Sequence, residues 1–377
     1  MPVSRRKFLH LATAAGLTAL SSKGLFASDP ATALYSRSLV IDGLGFPGSM
    51  DTEEGASLTT AELGHVSESG LSAVHLTVGP VGTLSALQSF EKIVRDVARW
   101  EREIDDHPEV FARVRKAEDI LLARESGRTG LVYGLQDGVS FEDDTERLPA
   151  LRQIGIRVIQ PTYNRRNLLG DGCMEPGNAG LSRNGLIAME RMNELGITVD
   201  LSHCGRRTAA DAIKVSKRPV SFTHTGCYAL AEHPRHRTDE EIRAVSASGG
   251  VTGIFIMPYL AKGRQPTAAD VIRHLEHAIN VGGEDHVSLG TDGTVSPSVL
   301  TEEYKEHFRE MTRKRKEAGI AAPFETEEGY LFANDLNTPQ RFETLAGMLL
   351  ERGHSESRVE KILGANVLRL FTDTWDA

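Results

Sequence analysis

Two histidines and one aspartate stand where they could share a metal ion. His203 ends the segment Asp200-Leu201-Ser202-His203, and His224 ends Val220-Ser221-Phe222-Thr223-His224. Each follows a short run of apolar and β-branched residues that reads as a strand, so each imidazole arrives at a strand end. Neutral imidazole is the commonest nitrogen ligand for zinc, and side chains on neighbouring strand ends lie near enough to bind one ion together. Asp292, in Gly290-Thr291-Asp292-Gly293, follows a later strand and suits either ligation or proton transfer to and from water. A lone histidine at a strand end is ordinarily structural, and an aspartate before glycine ordinarily belongs to a turn. Three such residues at one rim point to chemistry on water beside a cation.

Residues this far apart in sequence meet only in a fold whose strand ends converge. Strands are expected at 39–42, 73–78, 130–136, 157–161, 198–201, 219–223, 250–256 and 286–290. Helical patterns fall between most of them, at 84–102, 117–125, 183–195, 207–215, 239–248 and 267–281. The stretch 183–195 repeats apolar side chains at Leu186, Met189, Met192 and Leu195, a single buried stripe that Gly196 terminates. Nearly continuous apolar strands alternating with amphipathic helices imply a parallel sheet covered by helices. Eight such units predict an α/β chain folded as a (β/α)8 TIM-like barrel, a single domain over 28–377. No Gly-x-Gly-x-x-Gly follows the first strand, which argues against an open dinucleotide-binding sheet. In a barrel the C-terminal strand ends share one mouth, which would collect Asp42, Gln136, Asp137, Tyr163, Asn164, His203, His224 and Asp292. Tyr163 and Asn164, with Arg165, supply hydrogen-bonding groups for a substrate there.

The 377 residues carry 40% hydrophobic and 25% charged side chains, the make-up of a globular domain. A net charge of -9 argues against nucleic acid as a partner, because a phosphate backbone demands a concentrated positive field. No apolar run reaches the roughly 18 residues of a spanning helix, so no membrane span is expected in the mature form. Cys173, Cys204 and Cys227 are too few for a disulfide framework, and the latter two are minor candidates for zinc ligation beside the histidines. The N-terminus reads as an address. Ser4-Arg5-Arg6-Lys7-Phe8-Leu9, an apolar stretch to Leu20 and small residues to Ala27 are the three parts of an export signal. The paired arginines resemble the twin-arginine type, so residues 1–27 are expected to direct a folded chain to the periplasm or otherwise outward. Four basic and no acidic residues leave with that segment, making the mature chain more acidic still. The run Arg313-Lys314-Arg315-Lys316 reads as a solvated helical face, and His75 as a buried, hydrogen-bonded residue within a strand.

Four blocks carry a family resemblance: NELGITVDLSH at 193–203, RPVSFTHT at 218–225, GTDG at 290–293, and RGH at 352–354 leading to ILGANVLR at 362–369. From about residue 40 to 371 the chain resembles the renal, or membrane, dipeptidase family of binuclear zinc peptidases. The resemblance implies a TIM-like barrel, a small dipeptide-like substrate, bound zinc and a homodimer. It implies that His203 and His224 hold the second zinc, that Arg235 binds the substrate carboxylate, and that Asp292 assists proton transfer. A planar arginine fork suits a carboxylate. The bland alternative is that Pro234-Arg235-His236-Arg237 is a solvated basic stretch.

The departures from the family pattern are as informative as the matches. Where the family's Asp-Gly-His-x-Asp motif places two ligands of the first zinc, this chain has Leu44 and Phe46, and neither offers a lone pair. The bridging glutamate falls on Gln136, with Asp137 beside it as a substitute, and Tyr163 replaces a substrate-contacting histidine. These exchanges remove three ligands and two negative charges, and a buried uncompensated charge costs several kcal/mol. One zinc per chain on His203 and His224, completed by Asp292, Gln136 or Asp137 and water, is therefore expected in place of two. The leading expectation is an exported metallohydrolase of dipeptide-type amides. The alternatives are a non-catalytic ligand-binding barrel, and a different single-metal or metal-free reaction with Tyr163 and His224 as acid and base.

Overall fold

Eight parallel strands follow one another in chain order around a nearly closed barrel. They are β1 (Ile41–Asp42), β3 (Ala73–Thr77), β5 (Thr129–Leu135), β6 (Ile156–Ile159), β7 (Thr198–Asp200), β8 (Val220–Thr225), β9 (Val251–Ile254) and β10 (Val287–Leu289). Three short strands decorate this wall: β2 (Gly45–Phe46) pairs with β11 (Gly293–Thr294), and β4 (Phe111–Arg113) pairs with the first residues of β5. The computed structural model describes residues 29–375 apart from 51, 53, 54, 83 and 324. The export signal expected at 1–27 lies outside the described residues. All eight strands expected from apolar runs are present, because a strand buried on both faces must be apolar on both. β5, for example, is buried along its whole length, against the barrel interior on one side and helices on the other.

Hydrogen bonds close the seam between the first and last staves. Gly43 N–H donates to Leu289 O at 3.0 Å, and the buried Asp42 carboxylate accepts from the Thr291 amide (2.8 Å) and hydroxyl (2.6 Å). β2 and β11 prolong this seam, with Gly45 opposite Gly293. Absent side chains let the interior close tightly. A Cβ at Gly290 would lie 2.0 Å from Thr223 O, and one at Gly134 would lie 2.0 Å from His75 Nε2.

Helices cover the outside with the spacing the sequence carries. Helix Ala86–Asp106 opens on a Ser85/Gln88 capping box and buries Ile93, Val97, Trp100 and Ile104 along one stripe. Helix Arg183–Glu194 buries Gly185, Ala188, Met189 and Met192, whereas Leu186, expected in that stripe, is 44% exposed. The cause is Gly185: a Cβ there would meet Leu169 O at 2.1 Å, so close approach turns the helix onto its small-residue face. The C-terminal helix Asn366–Trp375 packs against the start of β7, where Trp375 Nε1 donates to Thr198 Oγ1 at 2.9 Å.

One irregularity positions the site. Phe222 of β8 pairs with Thr252, but Thr225 pairs with Ile254, so β8 carries one extra residue between them. This bulge spans Thr223 and His224 and re-aims them as the strand reaches the barrel mouth.

Candidate active site

His203 follows β7 and His224 lies in the β8 bulge; both rings are buried and their Nε2 atoms face each other at 3.1 Å. The opposite nitrogens are committed as donors. Asn164 is oriented by its own Nδ2–H, which donates to Ile320 O at 2.8 Å, so its Oδ1 accepts from His203 Nδ1–H at 2.6 Å. Thr223 gives its hydroxyl proton to Asp200 Oδ2 at 2.5 Å and therefore accepts from His224 Nδ1–H at 2.8 Å. Both imidazoles thus turn an Nε2 lone pair toward the same point. Burial, and after it the Arg235 guanidinium, holds both rings well below the usual histidine pKa, which disfavours a proton as the bridging cation. Two nitrogens bound to one zinc at roughly 2.0–2.1 Å in tetrahedral geometry sit about 3.3 Å apart. This donor pair fits a single ion.

Asp200, at the end of β7, organises both histidine loops. Its buried carboxylate accepts from the Ser202 amide (3.0 Å) and hydroxyl (2.5 Å), and from the Thr223 amide (3.0 Å) as well as its hydroxyl. Ser202 Oγ in turn accepts from His224 N–H at 3.1 Å. Partners of this kind fix the tautomer and tilt of a ligand imidazole.

A cavity of about 230 Å³ opens beside the pair, lined by Gln136, Tyr163, His203, Arg235, Asp292 and Arg315 among others. Tyr163 stacks on His203 with ring centroids 4.0 Å apart, and its hydroxyl accepts from Arg315 at 3.4 Å. Arg235 is buried, together with His236 and Arg237, so the solvated basic stretch is ruled out. Its guanidinium donates to Ser202 O and, at 3.3 Å, to His224 O, tying the two histidine loops together. Asp292 adopts φ 55°, a left-handed conformation that aspartate tolerates. Burial pushes its carboxyl up to about 6, against the pull of Arg235 and Arg315. Gln136 donates Nε2–H to the Thr77 hydroxyl at 2.9 Å, leaving a buried Oε1 without a partner. Asn164 also lines the cavity, but its amide is spent on Ile320 O and His203, which makes it a positioning group for the imidazole.

Other expectations need correction. Asp137 is not brought to the histidines: its oxygens accept from Gly82 N–H, Val139 N–H and Asn167 Nδ2–H at 2.8–3.2 Å, in a separate depression. The chain turns immediately after Gln136, so neighbours in sequence face different cavities. Cys227 is occupied elsewhere, its thiol donating to His274 O at 3.3 Å. Among the described residues, no three His, Cys, Asp or Glu side chains gather closely enough to hold a metal, so Asp292 does not join the pair as a third ligand. Leu44 is buried and Phe46 packs edge-on against Trp100 at 5.8 Å, so the place of the family's first zinc is apolar. A binuclear site does not fit these residues.

Arg315 does not belong to the solvated face that its basic run suggests. It enters the cavity and pairs with Glu325 at 2.8 and 3.0 Å, and Glu325 also accepts from the Tyr259 hydroxyl at 2.8 Å. Its run-mates Arg313, Lys314 and Lys316 are solvated. A signal was there: helix Glu302–Glu317 buries Tyr304, Phe308 and Thr312, and Arg315 continues that face at helical spacing.

A nearly closed parallel barrel with paired buried imidazoles at its mouth has the build of a metal-dependent barrel hydrolase. Residues 29–322 match the family model described as membrane dipeptidase (peptidase family M19), and the chain belongs to that family. It is 31% identical to a crystallised amidohydrolase from Pseudomonas aeruginosa, with a TM-score of 0.78 over 92% of this chain and 99% of that one. Dipeptidase verJ of Clonostachys rogersoniana is 27% identical over 270 residues, which span 71% of this chain but 61% of that protein. A metallopeptidase from Rhodobacter sphaeroides, solved with a phosphinate mimic of the dipeptide L-Ala-D-Ala, shares the fold at 17% identity. Its TM-score is 0.72 over 89% of this chain and 99% of that one. No helix among the described residues is long and apolar enough to cross a membrane.

Proposed function

We propose that this chain is an exported hydrolase of dipeptide-type amides that works with one divalent cation, zinc by the chemistry of its ligands, held by His203 and His224. The carrying observation is the pair of Nε2 lone pairs 3.1 Å apart, each fixed by a donor bond from the opposite ring nitrogen. His203 and His224 would hold a zinc ion, which would supply Lewis acidity toward a carbonyl and acidify water. The protein's own groups do the rest. Arg235 and Arg315 orient a terminal carboxylate, and Tyr163 offers its hydroxyl beside the reacting carbonyl. Asp292, with a carboxyl titrating near 6, takes a proton from water and returns it to the departing amine. Gln136, through its unpartnered Oε1, accepts a substrate N–H. Loss of the first-zinc ligands at Leu44 and Phe46 supports one ion over two.

The test combines metal analysis with dipeptide hydrolysis on the purified chain. One zinc per chain is expected in the wild type, with none bound by His203→Ala and turnover lowered at least about a thousandfold. Asp292→Asn is expected to keep the zinc and lose turnover by about 100-fold or more. A folded wild type that binds no zinc under metal-replete conditions and turns nothing over makes the chain a ligand-binding barrel. Hydrolysis that survives a chelator transfers the chemistry to Tyr163 and His224 alone. Export through the twin-arginine route predicts that Arg5→Lys with Arg6→Lys retains the protein in the cytoplasm; unaltered export refutes that part. Light scattering checks the homodimer that the family implies.

A further inference from the structure

A second cavity of about 310 Å³ adjoins the histidine chamber, and the two share Gln136, Asp292 and Leu331 in their walls. These three residues form a neck. On one side lie His203, Arg235, Arg315 and Glu325, a charged chamber; on the other lie Leu44, Phe46, Met50, Tyr304 and Phe332, an apolar one. Several of the polar groups on the apolar side bond within the protein. Asn337 and Ser298 exchange two hydrogen bonds at 2.8 Å, and Arg341 donates to Thr338 O at 2.8 Å and Val295 O at 3.3 Å. At the neck, Gln136 Oε1 is buried and unpartnered, an acceptor waiting for an N–H.

We infer that the space lined by Leu44 and Phe46 is a side-chain subsite, and that the substrate is a dipeptide-type amide bearing a large apolar residue on its acyl side. This rests on the hydrolase reading above for two points, the terminal carboxylate among the arginines and the scissile amide beside Asp292. With a terminal carboxylate among the arginines and the amide at the neck, the acyl-side residue points through the neck of Gln136, Asp292 and Leu331 into the apolar chamber. Largely apolar walls reward apolar area and penalise a charge that they do not pair. Each buried methylene multiplies affinity by about fourfold, so an aromatic side chain gains about 30-fold or more over a methyl.

The experiment uses the full chain loaded with zinc and four probes: phenylalanyl-alanine, alanyl-phenylalanine, alanyl-alanine and aspartyl-alanine. Affinity is read by calorimetry on Asp292→Asn, and kcat/KM on the wild type. Phenylalanyl-alanine is expected to bind at least about 30-fold more tightly than alanyl-alanine, with aspartyl-alanine weakest and alanyl-phenylalanine showing no comparable gain. Met50→Glu is expected to lower the phenylalanyl-to-alanyl ratio to under about threefold, while Met50→Leu preserves it. Equal affinities, no binding of any probe, or a gain confined to alanyl-phenylalanine overturns the subsite. The two readings fail separately. A binding preference without wild-type turnover keeps the subsite and removes the hydrolase, and turnover without preference does the reverse.

Discussion

The ends of β7 and β1 carry the same clamp and different chemistry. After β7, Asp200 accepts from the Ser202 amide two residues on and from the amide and hydroxyl of Thr223 beside it. After β1, Asp42 accepts from the Leu44 amide two residues on (3.2 Å) and from the amide and hydroxyl of Thr291. Each aspartate ties its own loop to a threonine from a neighbouring stave. Beyond the first clamp stand His203 and His224, with lone pairs turned inward; beyond the second stand Leu44 and Phe46, with none. The clamps hold the barrel together and are indifferent to which side chain follows. A ligand or an apolar group can therefore follow the aspartate without breaking the clamp's own hydrogen bonds.

The largest test of this separation makes the two ends alike. Leu44→His with Phe46→Asp and Gln136→Glu restores three ligands on an intact clamp, and is expected to raise bound zinc from one to two ions per chain by elemental analysis. An unchanged stoichiometry means the β1 rim has also lost the geometry. A smaller change breaks the other end. Thr223→Val strands both Asp200 Oδ2 and His224 Nδ1–H, and should cost about 1–3 kcal/mol of stability by denaturant unfolding and about 10–100-fold in zinc affinity. Intact affinity would show that His224 needs no such support.

A third test reads the charge on the β1 clamp. Burial raises the Asp42 carboxyl to about 7, although the Thr291 bonds pull it down. A carboxyl whose folded pKa lies above its unfolded value of about 3.9 favours the folded state when protonated. Its contribution is full below that unfolded value and is lost as pH rises toward 7. Relative to Asp42→Asn, the wild type should therefore lose stability between about pH 4 and 7, by on the order of a few kcal/mol. Parallel stability profiles for the two proteins would disprove the assignment.

The barrel was legible because its staves are buried on both faces and so appear as apolar runs. β2, β4 and β11 were not, since two or three residues carry no period. The histidines were legible from their place at or near strand ends. Their supports were only partly so: Asp200 lies in the same sequence block, yet nothing local marks Thr223 as the link from its carboxylate to His224. Asp137 was not legible, because proximity in sequence to Gln136 says nothing about direction once the chain turns. Arg315 was misjudged because three solvated neighbours conceal one residue on the buried face. Composition averages a helix around its axis, whereas function depends on the face.

The irregularity in β8 has a consequence for how such a site can be gained or lost. Strand side chains alternate, so parity decides which layer each one enters. One residue beyond the regular count, between Phe222 and Thr225, resets that parity at the rim. A single-codon deletion there would leave every remaining amino acid unchanged in type and still deny His224 its inward orientation. In this stave the arithmetic of chain length governs reactivity as firmly as the alphabet of side chains.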